Sequence, residues 1–154
     1  MCMKKIFKNV ATLGPIGSLP ASGTAASLII ALSLFLMQSV YKKFSFNGLL
    51  FIAIVSFLLA ILIIHFSLPF FSSVDPETIV IDEVVGVLVT FVGIALSIKS
   101  VVIGFVLFRF FDIFKPWPLK KIEKLPGAFG VVLDDVVAGI FSNILLRLFL
   151  IFIC

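Results

Sequence analysis

Residues Phe46–Phe66 read F-N-G-L-L-F-I-A-I-V-S-F-L-L-A-I-L-I-I-H-F, a run with no Asp, Glu, Lys or Arg. Wound as an α-helix, such a run rises about 30 Å, the thickness of a bilayer's hydrocarbon core. The surrounding chain has the same character. Of its 154 residues, 62% are hydrophobic and only 13% are charged. An ordinary soluble domain is nearer half apolar and a quarter charged, and a disordered chain is far more polar. One domain of this size cannot hide so many Leu, Ile, Val and Phe side chains in its own interior, so lipid is part of its solvent. Nineteen Phe against one Trp and one Tyr is a lipid-facing composition.

Four further apolar segments flank this one: Ala25–Tyr41, Ile79–Ile98, Ser100–Phe114 and Val131–Cys154. A spanning helix needs about 20 residues. Ile79–Ile98 and Val131–Cys154 meet that length, Ala25–Tyr41 is marginal, and Ser100–Phe114 is short enough to cross only half way. The breaks fall at Lys42-Lys43, Ser67–Pro76, Lys99 and Pro116–Gly127. The expected fold is an all-α integral membrane bundle of about five hydrophobic helices, one domain over residues 1–154. Nothing in the sequence specifies an oligomer.

The net charge is +4, from twelve basic and eight acidic residues. No basic run is interleaved with aromatics, so no nucleic-acid partner is indicated. The basic excess suits anchoring against anionic lipid on the cytoplasmic side. With the N-terminus inside and all five segments crossing, Lys4, Lys5, Lys8, Lys115, Lys120, Lys121 and Lys124 lie inside, against Lys42, Lys43 and Lys99 outside. That count favours a multi-pass protein of the cytoplasmic (inner) membrane in this orientation. Met1–Lys8 is short and basic, but Gly14, Pro15, Gly17 and Pro20 follow it instead of the apolar core of a signal peptide. Cys2 and Cys154 stand at opposite ends without metal-ligand spacing and read as bystanders.

The same alternation places four polar groups at the cytoplasmic face. Ser22-Gly23-Thr24 precedes the first segment, and Asp82-Glu83 lies near the start of the third. Arg109, Asp112 and Lys115 lie near the end of the fourth, and Asp134-Asp135 near the start of the fifth. An ionisable group inside a spanning helix costs about 2.5–3.5 kcal/mol on insertion scales, so such groups are usually paired and functional. First-turn acids that complement the helix dipole are the plain alternative. That accounts for one acid per helix, but not for adjacent pairs on two helices with Asp112 on a third. Ile81–Gly86 and Leu133–Ala138 echo each other, each with a small residue, Gly86 or Ala138, four positions after the first acid. Small residues let membrane helices approach closely, so two acidic helix starts are expected to pack together.

Carboxylates gathered this way stay ionised around a divalent cation, and an oxygen-only donor set suits Mg²⁺ or Mn²⁺. Arg109 offers a fork matched to phosphate and Lys115 a point charge. Arg109 and Asp112 share a helical face, and Pro116 and Pro118 end that helix. The combination suits metal-assisted phosphoryl chemistry. Other routes lack their residues. The one histidine, His65, ends the second segment and reads as interfacial. No Cys stands in a CxxxxxR arrangement, and there is no DxDx[TV] stretch and no P-loop. A metal-activated water remains. Gly23-Thr24 or Gly127–Gly130 could bring backbone N–H groups to a phosphate, though ordinary turn and N-cap roles fit equally. Trp117 reads as an interfacial anchor.

Taken in order, Ser22–Leu28, Val80–Gly86, Phe108–Pro118 and Gly127–Gly139 resemble the phosphatidylglycerophosphatase A family. The R-x-x-D-x-x-K-P-x-P and D-D-x-x-A-G blocks are specific in combination. The resemblance implies a Mg²⁺-dependent membrane phosphatase using one or two ions, which converts phosphatidylglycerophosphate to phosphatidylglycerol and phosphate. The family's residues carry over as Asp82, Glu83, Arg109, Asp112, Lys115, Asp134 and Asp135. The first motif departs from the family's P-G-T-x-G-S, reading Ser22-Gly23-Thr24-Ala25-Ala26-Ser27. The expected roles are metal binding by Asp82, Glu83, Asp134 and Asp135, catalysis by Asp112, Asp134 and Asp135, and substrate binding by Arg109, Lys115, Gly23 and Thr24. A phospholipid in the membrane is the expected partner. A phosphatase for another lipid phosphomonoester is the near alternative, and a small ion-coupled transporter or a non-catalytic scaffold the distant ones.

Overall fold

The computed structural model describes residues 2–71 and 78–153. Among them are eight α-helices and no strand: α1 (Cys2–Ala11), α2 (Ser22–Leu36), α3 (Gln38–Tyr41), α4 (Phe46–Ser67), α5 (Ile81–Phe91), α6 (Ile98–Phe114), α7 (Leu119–Ile122) and α8 (Ala128–Ile153). Pro76 and Cys154 lie outside the described residues, as does the side chain of Cys2. Two stretches, Phe46–Phe70 and Ala128–Phe152, are long and apolar enough to cross a membrane. Only 22% and 28% of their most apolar windows are buried inside the protein. The core helix of a soluble protein would be mostly buried, so these helices present apolar surface to lipid. The chain is an all-α membrane protein.

The third segment is not one span. Ile79–Ile98 splits into α5, the turn 92–97 and the start of α6. Eleven residues rise about 16 Å, roughly half the hydrocarbon thickness. The break is built into the chain. Val92 leaves helical geometry at φ −52, ψ 117, and Gly93 takes a left-handed φ of 69. The next helix starts with a reciprocal capping box, Ser97 with Ser100. The first segment is also divided, by Met37 between α2 and α3.

A helix that ends among apolar side chains leaves carbonyls that need partners. Side chains from two other elements cap α5. Asn143 Nδ2 of α8 approaches the carbonyl oxygens of Thr90 at 2.8 Å, Val92 at 3.0 Å and Val89 at 3.3 Å. Arg147 Nη2 donates to Val92 O at 2.8 Å, and the Tyr41 hydroxyl donates to Phe91 O.

The α5–α8 pair is the centre of the bundle, with α2, α4 and α6 packed around it. The close approach runs through glycines. A Cβ on Gly86 would stand 2.5 Å from the Phe108 ring and 2.8 Å from Asp135 O, and one on Gly139 would strike Gly86 O. The two acidic stretches do pack together, and the small residue at the second crossing is Gly139. Ala138 is buried instead in the cluster with Phe91, Phe108, Leu119 and Leu146. Lipid tails are as apolar as these side chains, so tight packing rather than water exclusion holds the membrane part.

The basic N-terminus forms α1, an element the sequence pattern left unassigned. It packs on α4, where Ser67 Oγ donates to Phe7 O at 3.0 Å. Val80 N donates to Ala11 O at 3.0 Å, tying α1 to the entrance of α5.

Candidate active site

A cavity of about 490 Å³ opens where α2, α5, α6 and α8 meet. Gly23, Thr24, Asp82, Glu83, Arg109, Asp112, Lys115, Asp134 and Asp135 all line it. Four stretches far apart in sequence therefore share one pocket. Asp82 and Glu83 occupy the first turn of α5, and Asp112 the last turn of α6. Asp134 and Asp135 lie deeper. Helix α8 begins at Ala128, three residues before the apolar segment Val131–Cys154. The pair thus falls in the second turn or beyond, where the helix dipole no longer stabilises an acid.

The carboxylates divide into two groups. One oxygen from each of Asp82, Glu83 and Asp135 lies within 4.8 Å of the others. Asp82 and Asp135 are buried and Glu83 partly so. Asp134 and Asp112 are held by cations instead. Lys115 Nζ donates to Asp134 Oδ2 at 2.5 Å, and Arg109 Nη1 donates to Asp112 Oδ2 one turn along α6. Of the four residues expected to hold metal, Asp82, Glu83 and Asp135 converge, while Asp134 faces Lys115.

Lys115 is aimed by its backbone. It ends α6 in a left-handed conformation, φ 41 and ψ 59, which turns its side chain back across the pocket toward α8. Its second partner is Glu123 Oε1 at 2.8 Å, from the residue that ends α7. Burial lowers the Lys115 pKa, but the bonds to Asp134 and Glu123 outweigh it and hold the group above the ordinary lysine value. Glu123 was not legible as a site residue. It stands in a lysine-rich connection where an acid reads as solvated surface, and only the chain reversal after Pro116 brings it to Lys115.

Helix α2 supplies the opposing wall. Its N-cap, Ala21, is left-handed at φ 54 and makes no side-chain cap, so Gly23 and Thr24 sit in the first turn and Thr24 is not the N-cap. A Cβ on Gly23 would run into Glu83 Oε1 and come within 3.4 Å of Arg109 Nη1. Ser27 is buried, donates to Gly23 O at 2.7 Å and lies 3.5 Å from Arg109 Nη1. Ser22 and Ala26, the departures from the family's first motif, are both buried in α2. The wall also includes residues 17–21, whose run of small and apolar residues gave no sign of a site.

The remaining candidate features lie elsewhere. Gly127–Gly130 does not line the cavity; Gly127 makes the turn at φ 69, and Gly130 packs on Leu125. His65 is exposed and packs edge-on against Phe66. Trp117 is exposed beyond α6.

The donor set fits a hard divalent cation. All the converging donors are carboxylate oxygens, the kind that bind Mg²⁺ or Mn²⁺. Five carboxylates and two cations line the cavity, which leaves excess negative charge in a largely buried place. Glu83 Oε2, Asp134 Oδ1 and Arg109 Nε are buried with no hydrogen-bond partner. Buried polar groups are rarely left unpaired. Two carboxylate oxygens and one guanidinium N–H, all on residues that line the cavity, are left unpaired, and a cation and a phosphate would supply what they lack.

Comparison with known proteins agrees with this geometry. The phosphatidylglycerophosphatase A family profile matches residues 9–150. A Bacteroides thetaiotaomicron protein named "Putative phosphatidylinositol-3-phosphatase" is 41% identical over 75 residues, 47% of each chain. The phosphatidylglycerophosphatase A of Haemophilus influenzae is 46% identical over 72 residues, 46% of this chain and 44% of the relative. That of Escherichia coli K12 is 37% identical over 70 residues, 44% of this chain and 41% of the relative. The chain thus matches about half or less of the length of these relatives. No solved structure matches. With four motif blocks lining one pocket and a family match across nearly the whole chain, the protein belongs to the phosphatidylglycerophosphatase A family.

Proposed function

We propose that the protein is a divalent-cation-dependent lipid phosphatase that hydrolyses the terminal phosphomonoester of phosphatidylglycerophosphate. The products are phosphatidylglycerol and inorganic phosphate. The observation that carries this reading is the convergence of Asp82, Glu83 and Asp135 beside an Arg109 whose Nε is buried and unpartnered. The trio would hold Mg²⁺, or Mn²⁺ in its place. When bound, the ion supplies Lewis acidity that polarises the phosphoryl group and acidifies water.

The chain's own residues then have distinct tasks. Arg109 binds the phosphate through the N–H groups that Asp112 leaves free, and Asp112 fixes the plane of the guanidinium. Lys115 adds a second positive charge facing the charge that builds on the phosphoryl oxygens. Asp134 anchors Lys115 through Oδ2 and takes the proton of the attacking water on Oδ1. The water oxygen bonds to phosphorus, the P–O ester bond breaks, and the glycerol oxygen leaves as a hydroxyl by taking the proton that Asp134 received from the water. The lipid tails stay in the bilayer, so only the headgroup enters. The basic residues near the pocket favour the cytoplasmic leaflet of the inner membrane as its location.

The relative named for phosphatidylinositol-3-phosphate supports a second reading, the same chemistry on another lipid phosphomonoester. Phosphate release from purified protein, measured on phosphatidylglycerophosphate, phosphatidic acid and phosphatidylinositol-3-phosphate with Mg²⁺ titrated, tests both. Fastest turnover on phosphatidylglycerophosphate, abolished by EDTA and restored by Mg²⁺, is expected. Undiminished turnover in EDTA would refute the cation's role, and preference for an inositol lipid would move the substrate to the second reading.

A further inference from the structure

We propose a second, non-catalytic lipid site at the end of the bundle remote from the carboxylates, where Arg147 holds the headgroup of an anionic phospholipid. This site does not rest on the proposed reaction. Arg147 lies in the Ala128–Phe152 stretch of α8, among Leu145, Leu146, Leu148 and Phe149. A cation in such a stretch calls for a partner. Two of its contacts are known: Nε donates to Asn143 Oδ1 and Nη2 to Val92 O, both at 2.8 Å. Neither neutralises its charge. Among the described residues the ion pairs are Arg109–Asp112, Lys115–Glu123 and Lys115–Asp134, and none reaches Arg147.

Arg147 closes one end of a cavity of about 340 Å³ between α4, α5 and α8. Its walls include Phe46, Leu50, Val89, Ile140 and Ile144. Leu50, Ile140 and Ile144 are exposed on its rim, so the trough opens to the bilayer. An apolar trough with a guanidinium at its end matches an acyl chain running up to a phosphodiester. An adjoining cavity of about 270 Å³ shares Phe46 and is lined by Lys42 and Gly93. A Cβ on Gly93 would lie 2.8 Å from Arg147 Nη2 and 2.6 Å from the Phe46 ring, so the two cavities meet at that glycine.

The charge distribution selects the headgroup. Every described carboxylate, Asp82, Glu83, Asp112, Glu123, Asp134 and Asp135, stands at the catalytic end. The two remote cavities are lined by Arg147 and Lys42, and Lys43 follows Lys42 in the chain. An anionic headgroup meets only attraction there. A choline or ethanolamine headgroup finds no described carboxylate for its ammonium.

Native mass spectrometry of the full chain, released from detergent micelles doped with phosphatidylglycerol or with phosphatidylcholine, tests the site. One phosphatidylglycerol should survive activation that strips phosphatidylcholine. Arg147→Met should weaken its retention about tenfold, to the phosphatidylcholine level. Because Arg147 also caps α5, that variant could fail to fold. Ile144→Trp fills the trough, leaves the cap intact and should give the same loss while phosphate release is unchanged. A lipid bound only at the catalytic cavity would ignore Ile144→Trp. Equal retention of the two lipids by the wild type, or undiminished phosphatidylglycerol retention in Ile144→Trp, overturns the proposal.

Discussion

Lys115 Nζ lies 2.5 Å from Asp134 Oδ2, joining the end of α6 to α8 across the candidate active site. The Asp134 side chain is only 6% exposed, so its charge depends on this partner. Removing one member of a buried ion pair costs about 3–5 kcal/mol, mostly from the charge left behind. Lys115→Met should therefore lower the thermal midpoint in detergent and abolish phosphate release. Adding Asp134→Asn should restore most of the stability, since no buried charge is then stranded, without restoring turnover. A double variant no more stable than the single one would show that the pair does not hold the two helices together.

The pH dependence of that pair follows from Lys115. Its pKa is raised above the ordinary lysine value because the bonds to Asp134 and Glu123 outweigh burial. A cation with a raised folded pKa contributes stability that is complete below its unfolded pKa and is lost as pH climbs through the folded one. The gap in thermal midpoint between wild type and Lys115→Met should thus stay constant from about pH 7 to pH 10, given an unfolded lysine pKa near 10.4. It should narrow only above that. A gap already closing at pH 8 would mean that Lys115 loses its proton early.

The three converging carboxylates can be tested through the ion they would share. Asp135→Asn keeps the shape of the side chain and removes one ligand charge. It should raise the Mg²⁺ concentration for half-maximal activity by at least about tenfold, the scale at which lost ligands and their supports affect metal sites. Asp112→Asn should change the response to lipid concentration more than the response to Mg²⁺, because Asp112 is bonded to Arg109. The same Mg²⁺ shift in both variants would place Asp112 among the ligands.

Gly23→Ala probes the α2 wall. The added methyl would collide with Glu83 Oε1 and crowd Arg109 Nη1. Gly23 lies in the first turn of a helix, and alanine favours helix over glycine by about 1 kcal/mol, so stability should hold or rise. Phosphate release should fall. Unchanged turnover in a well-folded Gly23→Ala would show that the wall has room to spare.

Some of this was written legibly in the chain and some was not. Uncharged length reveals a span directly, so Phe46–Phe66 needed no tertiary information. The acids and Arg109 were conspicuous because lipid-facing sequence makes a charge costly. The interruption at Val92-Gly93 was hidden, because hydropathy does not register a left-handed glycine between two apolar residues. The capping pair Ser97 and Ser100 was the available sign. Helix α1 escaped because its apolar face is short and its lysines dominate the composition. Glu123 escaped because its role exists only once the chain turns back after Pro116.

The end of α5 gives a prediction about folding rather than chemistry. Asn143 has two amide protons, and three carbonyl oxygens of α5, those of Val89, Thr90 and Val92, crowd around its Nδ2. Its own Oδ1 orients Arg147, which donates to Val92 O. Asn143→Leu keeps the side chain's size but leaves the last carbonyls of α5 with fewer donors and Arg147 with one partner fewer. A buried polar group left unsatisfied costs about 1–3 kcal/mol. The thermal midpoint in detergent should fall accordingly. At low temperature, where the variant is still folded, phosphate release should remain close to wild type, because the carboxylates sit at the other end of α5 and α8. An unchanged midpoint would mean that lipid or water reaches these carbonyls and that the half-length helix does not depend on its cap.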